Sequence, residues 1–525
     1  MPRREAFGSN LGLPSILPAR VVRRRHGVSI ETLESRMLLS AATTTAVPRH
    51  HHHGSPTATA AAPTPTTAAA SASSSLALVG DTNLDGSVNI VDLNTLLAHY
   101  GQTTGQTWAT GDFDADGAVN ANDLNLLLAN YGKTGGGTTI PTTGGTITAV
   151  QPTAPSTITW SGPITITKGG TYSGNWQSLS PSTPAVSIQT TQPVTIINSN
   201  VQSEDTLIES MTHGANLTVK NTHGWALNPN VSGQSPGRFI NAEYFSNLDF
   251  ENNTMAGTSG IEMGYWQPST SLPGGGTVKV LYNNALNIDG RWSDGNGGFL
   301  TGANQNDYVQ FAQFNDDYGM TGAEIAWNQV VNQPGQSRPE DNISVFESSG
   351  TSSSPILIHD NYIQGAYAAD PANDSSYTGG GIMLSDGSTG VLATDPGYVS
   401  AYNNIIISTS NYGIAISSGH NDTIYNNTII SSALLPNGQK IAAENVGIYV
   451  WNSVADILWG NNQEYGNTLG WMGPNDRNDL WTPDATGQTG DTHLPGSTIT
   501  LAQEQSYYTV WAQKVAASGY TIGAT

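Results

Sequence analysis

A six-residue pattern recurs between residues 194 and 462, and it constrains the fold of this chain more than any other feature. In order it reads V-T-I-I-N-S, L-T-V-K-N-T, L-D-F-E-N-N, K-V-L-Y-N-N, E-I-A-W-N-Q, I-L-I-H-D-N, V-S-A-Y-N-N, D-T-I-Y-N-N and I-L-W-G-N-N. The fifth residues are Asn198, Asn221, Asn252, Asn283, Asn328, Asp360, Asn403, Asn426 and Asn461. Their spacings are 23, 31, 31, 45, 32, 43, 23 and 35. The smallest spacing recurs and the others exceed it by variable amounts, which predicts a fixed coil of 23 residues carrying surface insertions. Each coil offers aliphatic side chains to the next, and an Asn at the turn can stack its amide on the Asn of the coil above. A single coil cannot bury its own apolar face, so the array is stable only when stacked.

Composition agrees with polar strands and turns. Only 11% of the 525 residues are charged, while Gly contributes 59 and Pro 27. A helix bundle with charged outer faces is excluded. The net charge of −22 argues against a basic nucleic-acid interface. There is no Cys, so disulfides, thiolate metal sites and Cys nucleophiles are excluded. No apolar run reaches the ~18 residues that a membrane-spanning helix requires.

The coil pattern resembles the right-handed parallel β-helix of pectate lyases and other polysaccharide-active proteins, over about residues 150–470. That resemblance implies a mainly β solenoid. Around it the sequence divides into further segments. Residues 1–40 are a basic arm. Their L-E-S-R-M-L-L-S run, 33–40, resembles an N-terminal motif of exported or surface proteins of certain bacteria. Residues 41–75 are an Ala/Thr/Ser/Pro linker containing His50 to His53, 76–133 a small duplicated module, and 134–146 a Gly/Thr linker. Residues 147–499 form the solenoid, and 500–525 a helix and tail. Thr500 and Gln503 have capping-box spacing, and Tyr508, Trp511 and Val515 share one helical face. This helix is expected to cover the open end of the array.

The module rests on a duplication. Residues 80–101 and 111–132 align at an offset of 31 without a gap. Oxygen donors fall at loop positions 1, 3, 5, 9 and 12, with Gly at position 6, as a calcium loop requires. The first set is Asp81, Asn83, Asp85, Asn89 and Asp92, with the Ser87 carbonyl at position 7. The second is Asp112, Asp114, Asp116, Asn120 and Asp123, with the Ala118 carbonyl. Leu93, Leu96, Leu97 and Tyr100 then mark one helical face, and Leu124, Leu127, Leu128 and Tyr131 repeat it. This arrangement resembles a type I dockerin, a small all-α module. The resemblance implies two Ca²⁺ ions, a cohesin-like or intramolecular partner, and a secreted or cell-surface protein. Positions 10 and 11 are Ile90-Val91 and Ala121-Asn122, where that family often has Ser-Thr.

A second column aligns Gly260-Ile261, Gly298-Phe299, Asn342-Ile343, Gly381-Ile382, Gly413-Ile414 and Gly447-Ile448. Counting onward along each strand brings Glu347 and Asp386 to one register on adjacent coils. Parallel strands lie about 4.8 Å apart, so the two carboxylates form a candidate catalytic pair with split pKa values. The same pair could hold a further Ca²⁺ in the groove. His420 is placed near them as a third catalytic candidate, with Arg338, Trp266, Trp292 and Trp451 as substrate-binding residues. Insertions at 266–277, 303–322 and 387–398 would wall the groove. Asp316-Asp317 and Glu340-Asp341 are read as loop acids. The function expected is a secreted or cell-surface, dockerin-bearing β-helix protein that binds and cleaves polysaccharide, as a glycosidase or a polysaccharide lyase. The alternative is a non-catalytic surface, adhesive or carbohydrate-binding protein.

Overall fold

The computed structural model describes residues 80, 82, 88, 90–103, 106, 110–113, 118–131 and 153–525, except 377 and 474. The basic arm, the two linkers and most of the first calcium loop lie outside the described residues.

The strands after residue 160 pair in parallel and stack coil upon coil. Each full coil contributes three. The first face holds 11 strands, from Ile164–Ile166 to Leu480–Trp481. The second face includes Val278–Leu281, Ala323–Ala326, Ile356–His359, Val399–Tyr402, Thr423–Tyr425 and Gln463–Tyr465. The third includes Asn284–Leu286, Gln329–Val331, Tyr362–Ala366, Ile405–Thr409, Thr428–Ser431 and Thr468–Trp471. This is a parallel β-helix. Its core is built from residues held in register, such as Ile261, Ala312, Ile343, Ile382, Ile414 and Ile448 on the first face. All six are fully buried. β-Branched side chains suit this setting because they pack well on a pleated surface.

The corner between the second and third faces carries the expected amide ladder. Asn253, Asn283, Asn328, Asn361, Asn404, Asn427 and Asn467 are buried and linked in sequence. Each Nδ2 donates to the next Oδ1 at 2.9–3.2 Å. Most of the residues marked in the sequence repeat sit one position earlier. Asn198, Asn221, Asn252, Asp360, Asn403 and Asn426 adopt left-handed backbone conformations, with φ between 49 and 57°. Asn tolerates that region better than other non-glycine residues, so both positions of an Asn-Asn doublet have a reason to be Asn. Asn461 belongs to another bend, where its Nδ2 bonds Asn421 at 2.7 Å, and the ladder member of that coil is Asn467. The 45- and 43-residue steps hide no extra coil, since Asn283 bonds Asn328 directly and Asn361 bonds Asn404.

The C-terminal helix spans Leu501–Ser518, closed by the Thr500/Gln503 capping box and by Gly519 in the left-handed region. It does not cover the end of the array. It lies along the side, on third-face strands Ile405–Thr409 and Thr428–Ser431. The reason is apolar. Tyr362, Ile405, Ile407 and Ile430 cluster with Trp511, and Tyr508 and Val515 pack against them. The tail then runs back toward earlier coils. The N–H of Gly523 donates to the Tyr282 carbonyl at 2.7 Å, and that of Thr525 to Asn221 Oδ1 at 2.7 Å.

In the calcium-binding module, helices Ile90–His99 and Ala121–Asn130 enclose a small core of Val88, Leu96, Phe113, Val119 and Leu127. The expected helical faces are only partly buried. Leu97 and Tyr100 are 51% and 46% exposed, and Leu128 and Tyr131 are 52% and 45% exposed. Two short helices enclosing so small a core bury one stripe each, and the outer half of each predicted face stays on the surface.

Candidate functional site

The two calcium loops close in the same way. Asp92, at position 12 of the first loop, accepts the N–H of Thr82 at 2.8 Å and its hydroxyl at 3.0 Å. Asp123, its counterpart, accepts the N–H of Phe113 at 2.7 Å and of Asn120 at 2.8 Å. Each carboxylate thus ties position 12 back to position 2. Asn120 also caps the second helix, accepting the N–H of Asn122. Asp92, Asp112 and Asp123 are all buried. Buried carboxylates are stable only when charge or hydrogen bonding compensates them, and an all-oxygen donor set is the chemistry that a hard divalent cation takes. These residues, with the Ala118 carbonyl, therefore fit calcium. Asp81, Asn83, Asp85, Ser87, Asn89, Asp114 and Asp116 lie outside the described residues.

The second site lies at the corner where the first face ends. Backbone hydrogen bonds step along it from coil to coil. Tyr244 donates to Gly264, Tyr265 to Asn315, Asp316 to Phe346, and Glu347 to Asp386, at 2.8–3.4 Å. Tyr244, Tyr265, Asp316 and Glu347 all have positive φ, between 40 and 60°. Glu347 and Asp386 stand on adjacent coils, both half-buried, but not at the expected common register: an irregularity between Ser344 and Phe346 sets Phe346, not Glu347, opposite Asp386. Asp386 Oδ1 accepts from Ser417 Oγ at 3.2 Å and from the N–H of Gly387 at 2.9 Å.

One coil of the expected column is corrected. Gly298-Phe299 is part of an insertion hairpin, bridged from Phe299 to Ser293. The strand that occupies this coil is Gln310–Asn315, with Ala312 opposite Ile261 and Ile343. The correction brings Asp316 to the corner, beside Glu347. Its Oδ1 accepts from Tyr318 Oη at 2.7 Å. Burial, then Asp316 and then Asp386, push the Glu347 carboxyl above its ordinary range. Asp317, next in sequence, is buried and structural. It accepts the N–H of Trp266 at 2.6 Å and of Asn315 at 3.2 Å, and desolvation raises its pKa strongly.

The other expected residues are dispersed. His420 belongs to the bend Ser349–Gly397–His420–Gly460, two residues past the Glu347 column and two coils along. That is on the order of 10 Å away. It is buried, edge-on to Tyr398, with Nδ1 2.7 Å from Asn421 Nδ2. Arg338 stands at the opposite edge of the first face, bridged to Asp289, a whole strand from Glu347. Burial lowers its pKa. Trp292 is in the insertion following Arg291, its Nε1 donating to Asp307 at 3.1 Å. Trp266 flanks the acid corner but is anchored through Nε1 to the Ser246 carbonyl at 3.2 Å. Trp451 packs at 67° against Trp481, beyond Asp386. Sequence reasoning missed Asp316 and the stacked pair Tyr244–Tyr265, whose rings are 5.0 Å apart. The signal for Asp316 was the strand F-A-Q-F ending just before it.

A parallel β-helix with a twice-repeated, oxygen-lined loop-helix unit ahead of it defines the class: a solenoid protein carrying a calcium-dependent docking module. Residues 79–131 match the Dockerin type I domain, so the module is a type I dockerin. Such domains bind calcium, imply a cohesin partner and are typical of extracellular or cell-surface cellulosome components. No curated protein matches the chain. Among the described residues, no helix is long and apolar enough to cross a membrane.

Proposed function

We propose that the solenoid is a polysaccharide-cleaving enzyme that works through Glu347 and Asp386, with Asp316 as the neighbouring charge. The observation that carries this reading is the adjacency of the corner acids: the Glu347 N–H donates to the Asp386 carbonyl at 2.8 Å, and burial, Asp316 and Asp386 push the Glu347 carboxyl above its ordinary range. A carboxyl with raised pKa can give its proton to a glycosidic oxygen, while an ionised carboxylate one coil away attacks the sugar carbon. Coils about 4.8 Å apart suit the ≈ 5–5.5 Å separation of a retaining glycosidase. A further Ca²⁺ at these acids, the alternative for a lyase acting on a uronate, draws no support from their placement: among the described residues no three acidic or histidine side chains are grouped to hold a metal ion.

The experiment is a polysaccharide panel assayed for reducing ends and for the absorbance of unsaturated uronates. Glu347→Gln and Asp386→Asn should each abolish product while leaving the circular dichroism unchanged. Full activity in both variants would refute the assignment. Glycan binding with no product from the wild-type chain would favour the non-catalytic alternative.

A further inference from the structure

Three carboxyl groups meet at the first-face corner, and the hydrogen-bond donors around them are unevenly shared. Asp386 Oδ1 takes two, the Ser417 hydroxyl at 3.2 Å and the Gly387 N–H at 2.9 Å. Asp316 Oδ1 takes the Tyr318 hydroxyl at 2.7 Å. Glu347 lies between them. A Cβ on Gly387, whose φ is 78°, would come within 2.7 Å of Glu347 Cγ and 3.2 Å of its Oε1, so the Glu347 side chain lies against the residue next to Asp386. On its other side the Glu347 carboxyl is hydrogen-bonded to that of Asp316. An ionised carboxylate only accepts, so this contact requires a proton on one of the two.

Tyr318 decides which. Its backbone is fixed to the next coil on both sides. The Asp317 N–H donates to Ser348 Oγ at 3.0 Å, and that of Gly319 to Ser349 Oγ at 3.1 Å. The Met320 N–H donates to the Ser349 carbonyl at 2.9 Å, and the Ser349 N–H returns to the Asp317 carbonyl at 2.8 Å. Ser348 and Ser349 directly follow Glu347, so this clamp ties Tyr318 to the coil that carries Glu347. The tyrosine is half-buried. Burial, then the bond to Asp316, push its hydroxyl above the ordinary range, and it keeps its hydrogen wherever carboxyls titrate. A phenol has one hydrogen to give, and here it goes to Asp316. Hydrogen bonds to an ionised acceptor are roughly twice as strong as neutral ones, which favours the arrangement with Asp316 ionised and Glu347 protonated.

We propose that Tyr318 is a positioning residue of the acid corner: by giving its hydroxyl hydrogen to Asp316 it keeps the shared proton on Glu347. The inference rests on the reading that Glu347 is the acid of the reaction proposed above, and it names the residue that makes it so. Glu347 is faced by Asp316 and Tyr318 from the coil before, by Asp386 from the coil after and by Asp395 from the insertion that follows Asp386. Asp317 also lies near Tyr318, but its carboxyl is turned to the N–H groups of Trp266 and Asn315. Among these titratable groups, Tyr318 alone is a donor that does not ionise in the carboxyl range. A proton held on Glu347 stands beside Asp386, as a pairing of acid and nucleophile requires.

The test is carbon-13 NMR of the whole chain labelled at the Glu side-chain carboxyls, with Glu347→Gln identifying the Glu347 signal. Tyr318→Phe keeps the ring and removes the hydroxyl, so circular dichroism should be unchanged. Loss of one hydrogen bond to a charged group should redistribute the proton about tenfold. Over the pH range in which the pair holds a single proton, the Glu347 signal should therefore move toward the carboxylate position. Asp316→Asn removes the like charge, and the midpoint of the Glu347 titration should fall toward the ordinary value of 4.5. A signal unmoved in Tyr318→Phe, or a midpoint unmoved in Asp316→Asn, would overturn the proposal. Turnover gives a second readout: on a polysaccharide that the chain cleaves, Tyr318→Phe should lower kcat by up to about tenfold at unchanged KM. The two readings fail separately. A shifted signal in a chain that releases no sugar removes the catalytic reading and leaves this one, whereas cleavage abolished by Glu347→Gln together with an unmoved signal in Tyr318→Phe does the reverse.

Discussion

Replacing Asn328 by Ala removes one rung of the amide ladder, and the structure sets the size of the effect. Asn328 is fully buried. Its Oδ1 accepts the N–H and the Nδ2 of Asn283, each at 2.9 Å. Its Nδ2 donates to the Val280 carbonyl at 2.8 Å and to Asn361 Oδ1 at 2.9 Å. Without the amide, the Asn283 N–H, one Asn283 Nδ2 hydrogen and the Val280 carbonyl lose their partners. Asn361 Oδ1 keeps one bond, from the Asn328 N–H. Three buried groups at about 1–2 kcal/mol each predict a loss of about 4 kcal/mol. The companion variant is Asn426→Gly, at an exposed corner position with φ of 55°, where the change should stay within about 0.5 kcal/mol. Denaturant unfolding should separate the two. Because coils in such arrays interact mainly with their neighbours, hydrogen exchange should accelerate first at Val280, Asn283 and Asn361. A loss below about 1 kcal/mol in Asn328→Ala, or one no larger than in Asn426→Gly, would refute the ladder as a stabilising element.

Three further outcomes follow from the geometry. Asp123→Ala releases the N–H groups of Phe113 and Asn120 and should lower calcium affinity at least tenfold by titration calorimetry; unchanged affinity would count against the closing role of position 12. Glu504 is buried against Ser432, and desolvation raises its carboxyl from 4.5 to about 7. The protonated form is therefore the native one, and its stabilisation is complete below pH 4.5 and lost as pH rises through about 7, amounting to about 3 kcal/mol. Tm of the wild type should fall relative to Glu504→Gln between pH 5 and 8, and parallel curves would dismiss the effect. Trp511→Ala empties a site that is 2% exposed and deletes the Nε1 bond to Asp360. It should destabilise the helix docking by about 3–5 kcal/mol, seen as proteolysis within 500–525 while the solenoid stays intact.

The architecture was legible because the core imposes a strict register. Ile343, Ile382, Ile414 and Ile448 stand opposite one another, and a slip of one residue would turn every one of them outward. Insertions are under no such constraint, so Gly298-Phe299 imitates the strand signature while the true strand, with Phe311-Ala312, lacks the Gly. Asp316 was lost to that imitation. The ladder register was ambiguous for a related reason. The doublets Asn252-Asn253 and Asn283-Asn284 look alike, but Asn253 is the ladder member in the first and Asn283 in the second. The placement of the helix could have been read from I-I-I-S-T at 405–409 and T-I-I-S at 428–431. Strands apolar on both faces are covered on both faces. Arg338 was misplaced because proximity along the sequence to Glu347 spans a full strand, which carries the two to opposite edges.

The returning tail changes how this molecule must assemble. Ladder bonds join residues only 23 to 45 positions apart, so coils can add one after another with short loops to close. Thr525 reaches Asn221 across 304 residues, and Asn252 reaches Thr521 across 269. Closing a loop about ten times longer adds roughly 2 kcal/mol of entropic cost, and the coils it joins must already be stacked. Docking of the strap is therefore a late event in folding, and its release an early event in unfolding. Between those events the apolar outer side of Ile405, Ile407 and Ile430 is uncovered. An intermediate with finished coils and an undocked strap is thus the species most exposed to self-association, and the refolding yield should fall with protein concentration at that step before any coil has come apart.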